Sequence, residues 1–412
     1  MINLVIFLLF GLLLCLVALR RPAVGVGLAA GADIMLMQGI PIGGSSMAPE
    51  SFFFLYLATL PLLHWVIGKR NVGIGSDRFA PPVAFYLAFF AICVFSTLSR
   101  GTPESGVRIL ARLPLWGIFL MVPVWLLRTE AHIRTVGLTI VLFTLGLLAI
   151  TLATGLPTAG INEGLLRSNY LNPLGHALGL GSILAYAATT KQHHKHLWGA
   201  ASIALAAGAA MTHSRGAMAA TTVGLLVCWY MISPGRAKRS VQLAGLAVLP
   251  LVLLALATGV VSRTWNGFAT AEASSNLYRY QIMLLAMRLL VDNPLRGVGL
   301  GNLEHAGGSF TTDLRSLHID IVASDNDYAR IAAELGGLGI AVVTGWLFYV
   351  RKRIAAKRKD HRHPFASISP ALVTGAGLGS YLVVLGLFES VIFSPTGWFN
   401  VGFCWACLRA KK

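Results

Sequence analysis

The chain has 412 residues, of which 56% are hydrophobic and only 12% are charged. Soluble domains carry about 25% charged residues, so this composition excludes an ordinary soluble protein. The net charge of +17 does not indicate nucleic-acid binding, because the basic residues stand between apolar runs. At the edges of a membrane such residues contact lipid headgroups and orient helices, so we predict a lipid bilayer as a partner and no nucleic acid.

Apolar runs of roughly 17–22 residues, long enough to cross a bilayer as helices, follow one another along the chain. They predict an all-α polytopic membrane protein with about 12 (12–13) transmembrane helices. The first run has no basic segment before it and no small-residue cleavage site after it, which predicts a retained helix and not a signal peptide. The predicted spans are residues 3–19, 22–39, 51–67, 82–98, 113–127, 135–153, 171–189, 197–213, 216–232, 241–261, 328–350, 367–388 and 391–408.

Lysine is distributed unevenly among the polar breaks between these runs. The breaks that carry lysine alternate with breaks that carry arginine but no lysine, and the bias of basic residues predicts that the lysine-bearing breaks are cytoplasmic. Positive charge on the opposite face needs another role, and arginine binds phosphate in a planar, bidentate way. We therefore predict a phosphorylated substrate on the non-cytoplasmic face. The arginines of that face are Arg100, Arg108, Arg112, Arg167, Arg215, Arg263, Arg279, Arg288, Arg296 and Arg315.

The longest break covers residues 262–327 and faces outward in this topology. A loop of this length is usually functional or folded as a subdomain. It divides the chain into an N-terminal bundle (1–261), a large outward-facing loop (262–327) and C-terminal transmembrane helices (328–412). Within the loop, periodicity predicts a helix at 278–291 that lies in the membrane interface. We expect one side of it to carry Ile282, Leu285, Ala286 and Leu289 together with Arg279 and Arg288.

Three polar blocks are candidates for chemistry. The first, residues 212–216, is a hinge between two apolar runs, and its Arg215 is interpreted as functional because a charge there is costly unless paired. The alternative is an arginine that anchors a helix end. The second, residues 292–302, is rich in glycine but lacks the strand-to-helix context of a dinucleotide site, so it predicts a tight backbone turn. In the third, helix capping explains one of Asp325, Asn326 and Asp327, but not all three.

These blocks, in this order, resemble the O-antigen ligase and O-antigen polymerase superfamily of bacterial envelopes. The resemblance covers roughly residues 170 to 340. It is carried by Ser214-Arg215-Gly216, by Arg279 with Asn293-Pro294-Leu295 and Gly297-Val298-Gly299, and by the block from Asn326 to Gly339. Asn172-Pro173-Leu174-Gly175-His176 resembles the family's asparagine-rich entry to its central helices.

The resemblance implies transfer of a glycan from undecaprenyl diphosphate to a sugar hydroxyl, at the periplasmic face of the inner membrane. It implies no metal and no cofactor. Ligases use the lipid A core as acceptor, whereas polymerases use a second lipid-linked repeat unit. We favour the ligase, since the outer arginines suit an anionic core. The polymerase stays open, because Asp325 stands where ligases carry a histidine. A transporter is a less favoured alternative. It would place charged residues within its helices at mid-membrane, and here only Asp33 lies deep in an apolar run.

We predict catalytic roles for Arg215, Arg279, His318 and Asp325. We also predict diphosphate binding by Arg215, Arg279, Arg288 and Asn326. An aspartate among arginines has a lowered pKa and is a poor base, so His318 is an alternative to Asp325. His305, beside the glycine turn, is a further candidate that we rank below His318.

Overall fold

The computed structural model describes residues 16–17, 19–35, 40–42, 45–47, 76–100, 104–154, 168–190, 194–212, 214–232, 282–303, 326–360, 368–389 and 391–411. Within these ranges regular structure is helical, apart from an antiparallel hairpin of β1 (Ile40–Ile42) and β2 (Ser45–Met47). The helices are α1 (Pro22–Met35), α2 (Ser76–Arg100), α3 (Glu104–Leu126), α4 (Glu130–Thr154), α5 (Ser168–Ala188), α6 (Lys195–Met211), α7 (Arg215–Ile232), α8 (282–292), α9 (Asp327–Asp360), α10 (Pro370–Leu385) and α11 (Pro395–Arg409).

Five of the described helices are long and apolar enough to cross a membrane: Ala80–Ser99, Gly106–Leu126, Glu130–Ala153, Arg215–Ile232 and Asp327–Lys357. Shorter apolar helices are Pro22–Gly31, Leu174–Ala188 and Pro370–Leu385. The prediction of a helical, polytopic membrane protein is therefore confirmed. Predicted spans 51–67 and 241–261 and most of 3–19 lie outside the described residues, so the number of spans stays a prediction.

Three separate segments meet at one end of the bundle, which we name the tail end. Lys411 N donates to Arg128 O at 3.0 Å, and Glu130 N donates to Lys411 O at 2.9 Å. The Ser369 hydroxyl, just before α10, donates to the Glu130 carboxylate. The tail end therefore brings together the connection between α3 and α4, the start of α10 and the C-terminal residues.

Small residues let the central helices approach at backbone distance. A Cβ added to Gly377 of α10 would lie 2.3 Å from Cys228 Sγ and 3.3 Å from Gly224 O of α7. A Cβ added to Gly224 would lie 2.4 Å from Ile183 Cδ1 of α5. In lipid, close packing of this kind replaces the hydrophobic effect as the force between helices. The glycine-rich composition therefore serves helix contact at this point.

This packing predicts a position-specific loss of stability. We expect Gly377→Ala to lower the melting temperature of the detergent-purified protein, because the added methyl group overpacks the contact and overpacking costs about 1–3 kcal/mol. Gly379→Ala is the matched control on the same helix, since its added Cβ meets no described atom within 4 Å. Thermal unfolding of the two variants, followed by fluorescence, would contradict the packing if both melted at the same temperature.

An aromatic cluster holds α9 against α2 and α11. Phe85 of α2 stacks on Trp346 of α9, with ring centroids 4.7 Å apart and planes 10° apart. Trp398 of α11 is 1% exposed and lies 5.5 Å from Tyr86 and 5.6 Å from Phe89. Such pairs stabilise beyond their buried area. The cluster fixes the helix whose first turns carry the third polar block.

Candidate active site

The beginning of α9 is tied to the segment between α10 and α11. We name this segment, residues 386–389 and 391–394, the cap loop. Asp327 N donates to Gly386 O at 3.0 Å. The buried Asp327 carboxylate accepts from Val391 N and Ile392 N, each at 2.6 Å. A carboxylate with two backbone donors is a strong, charge-assisted contact. Asp327 therefore anchors the cap loop on α9.

Asn326 has a different position in the same block. Its Oδ1 accepts from Ala329 N at 3.0 Å, which is the arrangement of a helix N-cap. Capping thus explains Asn326 and loop anchoring explains Asp327, in agreement with the expectation that capping alone does not explain both. Asp325 lies outside the described residues.

A buried ion pair adds a second tie between α9 and the cap loop. Arg330 Nε lies 3.1 Å from Glu334 Oε2, and the two side chains are 9% and 2% exposed. The Arg330 guanidinium also lies over the Phe393 ring, 4.3 Å from its centroid. A buried pair of this kind is costly to break from one side only. The sequence analysis did not single out Arg330, although an arginine four residues before a glutamate on a helix was available as a signal.

The glycine run after α8 pairs with a kink in α9. Gly336 has φ 63°, which interrupts the helix, and Gly297, Gly299 and Gly301 also have positive φ. The interruption leaves backbone groups of α9 available to the turn. Four backbone hydrogen bonds cross the contact: Val298 N to Ala333 O (2.8 Å), Gly299 N to Glu334 O (3.1 Å), Gly337 N to Pro294 O (2.7 Å) and Leu338 N to Leu295 O (3.2 Å). The prediction of a tight backbone turn is confirmed.

The turn and the kink lie too close for side chains. A Cβ at Gly297 would lie 2.4 Å from the Glu334 carbonyl carbon, and one at Gly336 would lie 2.5 Å from Gly297 N. The Ser96 hydroxyl of α2 lies 2.8 Å from Glu334 O and 3.1 Å from Arg296 O. The glycine turn and the kink at Gly336 are therefore the two halves of one structural joint.

Helix α8 packs its apolar side on α9. Ile282, Leu285, Ala286 and Leu289 are buried against Ala329, Ala333 and Leu303. The predicted apolar side is confirmed, but the prediction that Arg288 shares it is wrong. Arg288 is exposed, and its neighbours Met287 and Val291 are 57% and 78% exposed. At about 100° per residue, position 288 lies roughly 100° from the centre of the buried stripe. Arg279 lies outside the described residues.

The hinge brings Arg215 to the start of a helix. α6 ends at Met211 and α7 begins at Arg215, with the Ser214 hydroxyl accepting from Ala217 N at 3.4 Å. A Cβ at Gly216 would lie 2.7 Å from Phe388 Cβ, so the cap loop rests directly on the hinge. The N-terminus of a helix favours anions, and the Arg215 guanidinium adds full positive charge there. We name this end of the bundle the hinge end.

A histidine and a glutamate meet beside the hinge. His176 Nε2 of α5 lies 3.4 Å from Glu389 Oε1 of the cap loop, and the side chains are 19% and 27% exposed. The Tyr381 hydroxyl donates to His176 O at 3.0 Å. Neither imidazole nitrogen makes a hydrogen bond to a described residue. From the sequence, His176 was part of a motif and Glu389 was not a candidate, although an acidic residue between two apolar runs was a visible signal.

Of the predicted site residues, the structure describes Arg215, Arg288 and Asn326. The cap loop links Arg215 and Asn326, since it contacts Gly216 on one side and Asp327 on the other. Arg288 lies on the exposed side of α8. His305, His318 and Asp325 lie, like Arg279, outside the described ranges. Within those ranges no group of three or more His, Cys, Asp or Glu side chains could hold a metal ion.

The packed apolar helices, with a polar layer at their hinge end, define a polytopic membrane protein. Residues 200–344 match the family model described as O-antigen ligase. The matched region runs from α6 into α9 and so contains the hinge, the glycine turn and the kink. The resemblance to the O-antigen ligase and polymerase superfamily is thereby confirmed. No curated protein matches the chain.

Proposed function

We propose that the protein is an O-antigen ligase. It transfers a glycan from undecaprenyl diphosphate to a sugar of the lipid A core, at the periplasmic face of the inner membrane. The observation that carries this proposal is the position of Arg215 at the start of α7, inside the region that matches the O-antigen ligase family. A guanidinium at a helix N-terminus is suited to binding a diphosphate.

The reaction is an in-line displacement at the anomeric carbon. The acceptor oxygen attacks this carbon, the bond to the phosphate oxygen breaks, and undecaprenyl diphosphate leaves with the electron pair. Arg215 and Arg279 hold the diphosphate and stabilise the negative charge that develops on it, with Arg288 and Asn326 as further contacts. Preorganised donors of this kind often contribute roughly 3–4 kcal/mol each. From the sequence, His318 or Asp325 is the candidate that orients or deprotonates the acceptor hydroxyl.

The proposed topology has about 12 spans. The described part of the loop 262–327, α8 and the glycine turn, packs on the first turns of α9 at the hinge end. This packing supports the proposal that the loop belongs to the periplasmic side. The exposed apolar side chains of α8 fit a helix in the membrane interface.

Deletion of the gene separates the two candidate functions. For a ligase, we expect polymerised glycan to accumulate on the undecaprenyl carrier while the lipid A core stays bare, as read on silver-stained gels.

The second candidate is a polymerase, which the presence of Asp325 in place of the ligase histidine favours. Loss of a polymerase would instead leave the core with a single repeat unit. Purified protein that forms no new glycosidic bond from lipid-linked glycan would exclude both and favour a transporter.

A further inference from the structure

We propose that Glu389 accepts the proton of the acceptor hydroxyl, and that His176 is the positioning residue that orients it. This inference rests on the proposed glycosyl transfer. It assigns the base to a group that neither the family motifs nor the hinge sequence indicated. The cap loop brings Glu389 to the hinge.

The cap loop is held on three sides, so the Glu389 backbone has a fixed position. The Asp327 carboxylate binds two of its N–H groups, and Phe393 lies under the Arg330 guanidinium. Phe388 of the cap loop contacts Gly216 of α7. Glu389 follows Phe388 in the chain, and Arg215 precedes Gly216. The cap loop therefore places the Glu389 backbone next to the first turn of α7, where the chain carries Arg215.

The exposure of the pair indicates which member meets the substrate. Glu389 is 27% exposed and His176 is 19% exposed, with both imidazole nitrogens shielded from solvent. The histidine backbone is fixed by the Tyr381 hydroxyl. The imidazole, with its Nε2 3.4 Å from one carboxylate oxygen, limits the space in which that carboxylate can rotate. His176 thus orients Glu389, and the carboxylate is the member within reach of an acceptor sugar.

The proton transfer balances with the displacement. As the acceptor oxygen bonds to the anomeric carbon, its proton moves to a Glu389 oxygen, and the electron pair of the broken bond goes to the leaving diphosphate. The proton then passes to water at the mouth of the site, and the carboxylate is restored.

The test compares kcat and the donor KM for transfer by the purified full-length protein. The probes are an undecaprenyl-diphosphate-linked glycan and lipid A core. General base catalysis typically contributes about 10²–10⁴-fold, so we expect Glu389→Gln to lower kcat by about 10²-fold or more with donor KM changed less than about twofold. Glu389→Asp should keep an intermediate kcat. Glu104→Gln, at an 85% exposed carboxylate on α3, is the matched control and should behave as wild type.

The positioning role of His176 has its own readout. His176→Gln should lower kcat by about tenfold alone, and should have no further effect in the Glu389→Gln background, because it acts through that carboxylate. Additive losses, or an equal rise of donor KM in both variants, would indicate a merely structural pair and overturn the inference.

Two further outcomes separate this inference from the proposed function. Wild-type kcat in Glu389→Gln, with activity lost in His318→Ala or Asp325→Asn, would return the base to the loop and overturn the inference alone. A wild-type protein that transfers no glycan would overturn the proposed function and this inference with it.

Discussion

Replacing Arg215 with alanine is expected to lower glycan transfer by about 10²–10³-fold, the usual effect of removing one preorganised donor to a developing charge. The side chain begins α7 and is only partly exposed, so its charge acts where the unpaired N–H groups of the helix also favour an anion. Glycan transfer in membranes from a complemented deletion strain measures the effect, with protein level checked by immunoblot.

Two variants sharpen this prediction. Arg215→Lys should also transfer poorly, because one ammonium cannot hold two phosphate oxygens as the planar guanidinium does. Arg134→Ala removes an exposed arginine near the tail end, one turn after Glu130, and should transfer as wild type. Full activity in Arg215→Ala, or an equal loss in Arg134→Ala, would contradict a specific role for the hinge arginine.

Replacing Gly336 with alanine is expected to prevent folding of the hinge end. An alanine at φ 63° is strained by about 1–3 kcal/mol. Its Cβ would also lie 2.5 Å from Gly297 N, which is backbone and cannot rotate away. Separation of the turn from the kink would break the four hydrogen bonds between them, so the total cost should be about 3 kcal/mol or more. We expect little monodisperse protein on size-exclusion chromatography in detergent.

Gly345→Ala is the matched control for this effect. It lies on the same helix α9, and its added Cβ meets no described atom within 4 Å. Alanine is the better helix former by about 1 kcal/mol, so this variant should fold at least as well as wild type. Equal yields of folded Gly336→Ala and Gly345→Ala would show that the joint between the glycine turn and α9 is not needed for folding.

Local patterns in the sequence predicted the features that depend on neighbouring residues. Apolar run length gave the described spans, and periodicity gave the buried side of α8, because both follow from helix geometry within a few turns. The placement of Arg288 on that side was wrong, although the same periodicity sets position 288 roughly 100° from the centre of the stripe. The hinge at Arg215 was visible because a charge between two apolar runs stands out against its surroundings.

Contacts between distant segments could not be predicted in this way. The partners of the Asp327 carboxylate lie 64 and 65 residues further along the chain, and the Ser96 hydroxyl reaches a carbonyl 238 residues away. No local periodicity encodes such pairings. Glu389 is a single acidic residue between two apolar runs, and nothing near it in the sequence indicates that the fold brings it to the hinge and to His176. The glycine motif could be read as a turn, but its partner at Gly336 could not be identified.

The affinity for undecaprenyl diphosphate shows directly whether arginine at the hinge end binds a diphosphate. We propose measuring its affinity for wild type, Arg215→Ala and Arg134→Ala in detergent by microscale thermophoresis. Loss of a charge-assisted contact costs about 1.5–3 kcal/mol, so Kd should rise at least about tenfold in Arg215→Ala and stay unchanged in Arg134→Ala. The same Kd in Arg215→Ala and wild type would contradict the claim.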